Sequence, residues 1–257
     1  MMKQKTLFTI IIMSLLAALT GFGQATKEER HKIDVRKADM VKTKITFPAG
    51  RLIIDTDANA FFEGTFEYRD RYWKPVLFYE EDSETGYLEI EVDDDRDRRT
   101  YDESDRNQWN LGFNRNVRNE MTIEMVAGES EIDLEGSNLE KFEFKMVAGD
   151  SRINLRNSSV PFLEFRAVAG EAEIDLSGSW KNDLDAEIRG GVGELTLVLP
   201  ANIGIKLYIS GGLGEISAPG FDKNGRIFTN DLYGETKSSL YFDIKGGIGN
   251  INIRTTR

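Results

Sequence analysis

Cysteine is absent from the 257 residues. No disulfide can brace the fold, although export would permit one, and no lipid-bearing cysteine can anchor it. Histidine occurs once, at His31. Histidine zinc clusters, and triads that pair histidine with serine or cysteine, therefore lack parts. Basic residues are in deficit, 33 against 44 acidic, for a formal net charge of −11. That balance argues against nucleic acid or an anionic lipid surface as partner, because both are held by basic patches. Strong helix signals are missing beyond the N-terminus. So is any later apolar run of the ~20 residues that a spanning helix needs.

What is present begins with an export signature. Lys3 and Lys5 precede an apolar run from Leu7 to Leu19, and the small residues Gly21 and Gly23 follow. A positive start, a short apolar centre and a small-residue exit describe a signal peptide over residues 1–23. Cleavage there leaves a chain that is not an integral membrane protein, placed in the periplasm or at the cell surface. The alternative is a signal retained as an anchor.

The next feature is a repeat. VAGESEIDL at Val126 returns as VAGDSRINL at Val147 and as VAGEAEIDL at Val168, 21 residues apart each time. Continuing the step takes Gly128, Gly149 and Gly170 to Gly191 and Gly212, and one longer step of 35 reaches Gly247. GGVGEL, GGLGEI and GGIGNI are thus the same unit with more glycine in the turn. The flanks alternate with period two: Met121, Ile123 and Met125 precede the first turn, and Ile132 and Leu134 follow it. Period two marks strands with one buried face. Units this small cannot bury an apolar face alone, so they stack. The expected fold is all-β, a single-chain β-solenoid of about 21-residue rungs, with glycines at stacked corners. Gly50, in ITFPAGRLII, opens an earlier unit of the same kind.

Between these units, GTFEYRDRYW, PVLFYEED and GYLEIEVDD read as an antiparallel N-terminal meander. The expected organisation is a signal peptide (1–23), a polar leader (24–42), an N-terminal β module (43–116) and solenoid repeats (117–257). An insertion near 219–237 precedes the last rung. Its aromatics are placed to cap the open end of the stack, and the competing reading is a partner-binding loop.

Candidate chemistry is thin. In the glycine turns, Leu195, Ile216 and Ile251 stand where a calcium β-roll needs aspartate. None of these turns opens a helix, as a dinucleotide fingerprint requires. Glu173, Glu194 and Glu215 could stack one strand apart, near the ~5 Å that a retaining glycosidase uses. A solvated acidic face gives the same pattern. The acidic loop DDDRDRRTYDESDRNQ lacks calcium-loop spacing and carries its own arginines. No catalytic residue, metal ligand or cofactor is expected. Tyr72, Trp73, Phe228 and Tyr233 are the candidate binding residues, with Tyr72 and Trp73 as a possible glycan or peptide platform.

PAGRLIID, FFEGTFEYRDRYWKPVLFY, GYLEIEV and NQWNLGFN resemble the bacterial toast-rack domain family, whose function is unknown. From Met121 onward the repeats are similar to adhesin-like β-solenoids and to a related domain of cell-wall-antibiotic-response membrane proteins. The resemblance runs from about Ile45 to Arg257. It implies a fold and an envelope address and carries over no active site. The expected function is a secreted, non-enzymatic envelope scaffold or interaction protein with an unidentified envelope protein or glycan as partner. The alternative is a carbohydrate-binding module. A third reading, a β-helix polysaccharide lyase, would need a base facing the acids, and only Arg152 interrupts that column.

Overall fold

A computed structural model describes residues 26–69, 71–92 and 107–256. The signal peptide and residues 93–106 of the acidic loop expected from the sequence lie outside the described residues; the loop's last two residues, Asn107 and Gln108, open a strand. The described residues are mostly strand, with no α-helix among them. The first strands are β1 (Lys27–Ile33), β2 (Met40–Asp55) and β3 (Asp57–Tyr68); a 3-10 turn at Arg71–Trp73 then leads to β4 (Pro75–Asp82) and β5 (Thr85–Val92). Next come β6 (Asn107–Asn114), β7 (Arg118–Asp133), β8 (Leu139–Asn154), β9 (Phe162–Asp175) and β10 (Leu184–Pro200). The last are β11 (Gly204–Leu213), β12 (Ile216–Ser217), β13 (Asp222–Asn224), β14 (Ile227–Thr229), β15 (Ser239–Ile248) and β16 (Ile251–Thr256). All belong to one sheet, in the order β1-β3-β6-β2-β7-β8-β9-β10-β15-β11-β14-β13.

The long strands are bent at glycine, and the bend explains why both halves bury a face. In β7, Met121, Ile123 and Met125 point inward, and so do Ser130 and Ile132. Strict alternation would turn Glu129 and Glu131 inward instead. Gly128, at φ +116°, reverses the parity, so the sheet folds into two arms that face each other across the core. Positive φ of this kind is open to glycine and costly for other residues.

Register between neighbours is parallel and regular through the middle. Ile123 lies beside Phe144 and Ile132 beside Ile153. Phe144 lies beside Phe165 and Ile153 beside Ile174. The Phe144 and Phe165 rings stack at 5.7 Å, only 7° from parallel. Both are fully buried, as are Phe142 and Phe242. Each such side chain contributes roughly 2–3 kcal/mol of transfer free energy. After the second arm the chain turns back on an Asx motif repeated layer by layer. Asp133, Asn154 and Asp175 accept bonds from the backbone N–H groups of Glu135, Arg156 and Ser177 at 3.1, 3.1 and 2.8 Å.

At β10 the step lengthens. Gly170 pairs with Gly193 rather than with Gly191, and Ile174 pairs with Leu197. The final unit is also not where chain order puts it. β15 lies between β10 and β11, pairing in parallel with both, and β16 continues along the second arm of β10. The insertion forms β13 and β14, and β14 runs antiparallel along β11.

At the other end the arms separate. On the first arm β5 pairs with β2, and β4 with β5. On the second arm β6 pairs with β2. β3 does not join β4; it lies antiparallel to β6 and β1. An aromatic cluster closes this end of the core. Trp109 lies 5.0 Å from Phe47 and 5.2 Å from Phe66, both edge-on. The terminal strands of the order, β1 (KEERHKI) and β13 (DKN), are rich in charge, which blunts pairing with other chains. His31, expected in a polar leader, sits in β1 with its ring edge-on to Phe66 at 5.5 Å.

The link between β1 and β2 is clamped by Glu81. Its carboxylate accepts from the backbone N–H of Arg36 at 2.8 Å and of Lys37 at 3.0 Å, and from the Tyr79 hydroxyl at 2.8 Å. Burial works against its charge, but these donors outweigh burial and hold its pKa below the ordinary carboxylate value of 4.5. A depressed folded-state pKa gives stability that is present above pH 4.5 and lost as pH falls through the folded value. Glu81→Gln should therefore lower stability at pH 7 by about 1 kcal/mol. Melting curves between pH 7 and 3 should show its deficit closing at the acid end. A deficit independent of pH would refute the clamp.

Candidate functional site

The corner glycines form a column that leaves no room for a side chain. A Cβ on Gly128 would fall on the carbonyl oxygen of Gly50, one on Gly149 on that of Gly128, and one on Gly170 on that of Gly149. The column continues through Gly193, Gly249 and Gly214. Of the glycines expected at corners, Gly50, Gly128, Gly149, Gly170 and Gly212 have positive φ, whereas Gly191 and Gly247 do not. Those two lie off the column but are equally crowded, Gly191 against the Val168 carbonyl and Gly247 against that of Gly191. Gly212 also lies off it, Gly214 taking the β11 position, and the nearest atom to a Cβ on Gly212 would be the Gly247 carbonyl oxygen at 3.4 Å. The change follows from the longer step at β10.

Beyond the corners, the outward side of the second arm is polar. A shallow depression there is lined by Arg51, Glu131, Arg152, Glu173, Glu194 and Arg254, among others. Arg51 Nη2 lies 3.3 Å from Glu131 Oε2, and Arg152 sits in register between Glu131 and Glu173. The expected stack of Glu173, Glu194 and Glu215 is not formed. Thr196 is the residue beside Glu173, and Glu194 pairs with Glu171. Asn252 donates to Glu194 at 2.8 Å, and Asn250 accepts from the Glu215 N–H at 3.2 Å. The arrangement is a charge-mixed face of carboxylates, arginines and amides, suited to hydrogen bonding. Among the described residues, no group of three or more histidine, cysteine or acidic side chains is arranged to hold a metal ion.

The outward side of the first arm carries aromatics near the insertion. One row runs Phe162, Asp185, Tyr241, Lys206 across β9, β10, β15 and β11. Lys206 Nζ lies 5.7 Å from the Tyr233 ring centroid and 5.9 Å from that of Tyr241. In the next row Tyr208 lies beside Asp243, and its hydroxyl accepts from Arg226 at 3.4 Å. Partial burial, and then the charges of Asp243 and Asp185, raise the Tyr241 pKa above its usual value. It therefore stays a neutral hydrogen-bonding phenol.

The candidate binding residues from the sequence separate. Tyr233 is exposed and joins this platform. Phe228 does not: it is buried in the core, pairing beside Leu207. Its strand has three residues, Ile227, Phe228 and Thr229, and two adjacent apolar residues in so short a strand do not show which of them faces inward. Tyr72 and Trp73 lie in the 3-10 turn, far along the sheet order, and Trp73 packs partly buried against the core. Sequence reasoning did not single out Tyr241 and Tyr208, because only strand pairing brings them to Tyr233. The signal was present in their outward parity, opposite to Leu240, Phe242, Leu207 and Ile209.

Comparison with known proteins agrees with this architecture. The profile of the N-terminal domain of toast-rack proteins, DUF2154, matches residues 22–166 and again 145–198. A crystal structure of a candidate cell adhesion protein from Clostridium sporogenes is 28% identical. It covers 90% of this chain and 100% of its own, with a TM-score of 0.70. A candidate adhesin from Bacteroides fragilis is 13% identical over 89% of this chain and 98% of its own; its TM-score of 0.36 is too low to bear on either fold or function. Comparison with curated proteins gives no match. With more than half of its length matched by the family profile, the chain belongs to the toast-rack N-terminal domain family.

Proposed function

We infer that the protein is an exported, non-enzymatic scaffold of the bacterial envelope or surface that acts by binding. The observation that carries this reading is the ladder geometry. Outward side chains recur once per strand across β7, β8 and β9 in constant register. A rigid face of equally spaced groups suits a protein or polymer partner with its own repeat. The full-length likeness to a protein described as a candidate cell adhesion protein supports it. Among the described residues, no helix is long and apolar enough to cross a membrane, which is compatible with an exported chain. In the test, labelled protein is added to envelope fragments of the producing cell. Saturable binding without release of soluble saccharides or peptides is the expected result. Turnover of an envelope polymer that is lost in Glu173→Ala or Glu194→Ala would refute it.

A carbohydrate ligand is the second reading, favoured by the Tyr208, Tyr233 and Tyr241 platform beside Asp185 and Asp243. Flat rings stack on the apolar face of a sugar, and carboxylates take its hydroxyls. Protease treatment of the fragments separates the two readings. Binding to a protein partner is abolished, whereas binding to a glycan survives and is lost in Tyr241→Ala.

A further inference from the structure

The valine of each VAG repeat is not in the core. Val126, Val147 and Val168 are 53%, 51% and 61% exposed, and Val192, Ile248 and Leu213 are 56%, 57% and 75% exposed. They stand on six consecutive strands at the outer bend. Val126, Val147 and Val168 are held side by side by the pairing of Met125 with Met146 and of Ala148 with Ala169. Val192 pairs with Ile248, and Leu213 with Ile248, so the line continues with a one-residue offset at β10. At ~4.8 Å per strand the ridge is roughly 25 Å long. Ala127, Ala148 and Ala169 flank it, so another backbone can come close. Scattered exposed aliphatics need no explanation, but a contiguous apolar line marks a contact surface.

Charge beside the ridge indicates what covers it. On the second-arm side stand Glu129, Asp150, Glu171 and Glu215, and among the described residues none of these four has an ion-pair partner. On the first-arm side stand Lys145, Arg166, Arg189 and Lys245, in one register column that Glu124 continues at β7 and Ser210 at β11; the first three also pair within the chain, with Glu143, Glu164 and Glu187. A surface with an acidic stripe on one flank and a basic stripe on the other is complementary to itself. Of the two ways to face two copies, a two-fold axis parallel to the ridge puts acid against base in the β8, β9 and β10 layers: Asp150 against Lys145, Glu171 against Arg166 and Glu194 against Arg189. An axis across the ridge puts like against like. We propose that the valine ridge is a homotypic interface, joining two copies of this chain in parallel, layer against equal layer, about a two-fold axis along the ridge. The inference goes beyond the proposed function and holds whatever envelope partner the protein engages.

The absence of native cysteine makes the geometry directly testable. In full-length protein, Val126→Cys, Val168→Cys and Leu213→Cys should each form a reducible dimer alone under mild oxidation, because every ridge position meets itself. Sedimentation should show a dimer for the parent and for Gly136→Ala, a turn change away from the ridge. Val147→Asp with Val168→Asp should raise the dissociation constant at least about tenfold while the melting temperature holds. Glu171→Lys should weaken the dimer, and adding Arg166→Glu should restore it. A parent protein that is monomeric at all concentrations overturns the proposal. So does cross-linking that needs Val126→Cys and Leu213→Cys mixed together, since that pairing is antiparallel. A ridge variant that loses an envelope partner while its self-association is unchanged also overturns it, and assigns the ridge to that partner.

Discussion

Gly149→Val should lower the free energy of unfolding by about 3 kcal/mol or more. Two costs add. The φ of Gly149 is +137°, which a β-branched residue adopts only under strain of ~1–3 kcal/mol. The new Cβ would also fall on the carbonyl oxygen of Gly128, so backbone must move, at a further ~1–3 kcal/mol. Local relief is blocked, because the Gly149 carbonyl in turn occupies the space beside Gly170. Nor can the strand relax to ordinary alternation without turning Asp150 and Arg152 toward the core. Gly136 is the control. Its φ is +64° with nothing within 4 Å of an added Cβ, so Gly136→Ala should cost only ~1 kcal/mol. Urea denaturation of both variants tests the difference. Equal midpoints would show that corner crowding is not what selects glycine.

Deleting Phe221–Tyr233 should drive the protein into assemblies larger than those of the intact chain. β14 covers the outer edge of β11 through Lys206–Thr229, Leu207–Phe228 and Tyr208–Ile227. The Asn230 side chain accepts from the Ile205 N–H at 2.8 Å and donates to the Ile203 carbonyl at 2.7 Å. The Arg226 carbonyl accepts from the Ile209 N–H at 2.8 Å. Removing these partners leaves a bare strand edge, the usual template for addition of further chains. Phe228→Ala keeps the hairpin but empties its buried ring position, at ~3–5 kcal/mol. Light scattering and melting curves read both variants. A deletion variant with unchanged stability and unchanged assembly would refute capping and leave the segment as a partner-binding loop.

The central layers were legible because three signals coincide there. The apolar alternation, the glycine and the step of 21 all agree across β7, β8 and β9. At β10 they part. GGVGEL offers Gly190, Gly191 and Gly193 to the same corner, and counting glycines cannot choose among them. Burial chooses: the register adopted sets Ile188 beside Phe165 and Leu197 beside Ile174. A slip of two residues keeps every side chain on its own face. Inward and outward residues were therefore read correctly while the stacking partners of Glu173 and Glu194 were not. The position of β15 was hidden for another reason. Parallel pairing with β11 satisfies either order of layers. What favours the observed order is coverage, since β16 extends along β10 as far as Pro200, whereas β12 offers only two residues. Chain order carries no trace of that comparison.

Because the corner glycines touch carbonyl to Cα position, layer thickness is set by main chain alone and is the same whatever side chains a layer bears. One repeat therefore ends on a platform equivalent to the one on which it began. An in-frame tandem duplication within the β7–β9 region would insert a layer without inventing a new core. The length of the stack thus becomes a quantity that replication slippage can adjust in steps of a single strand spacing, with both charged ends left as they are.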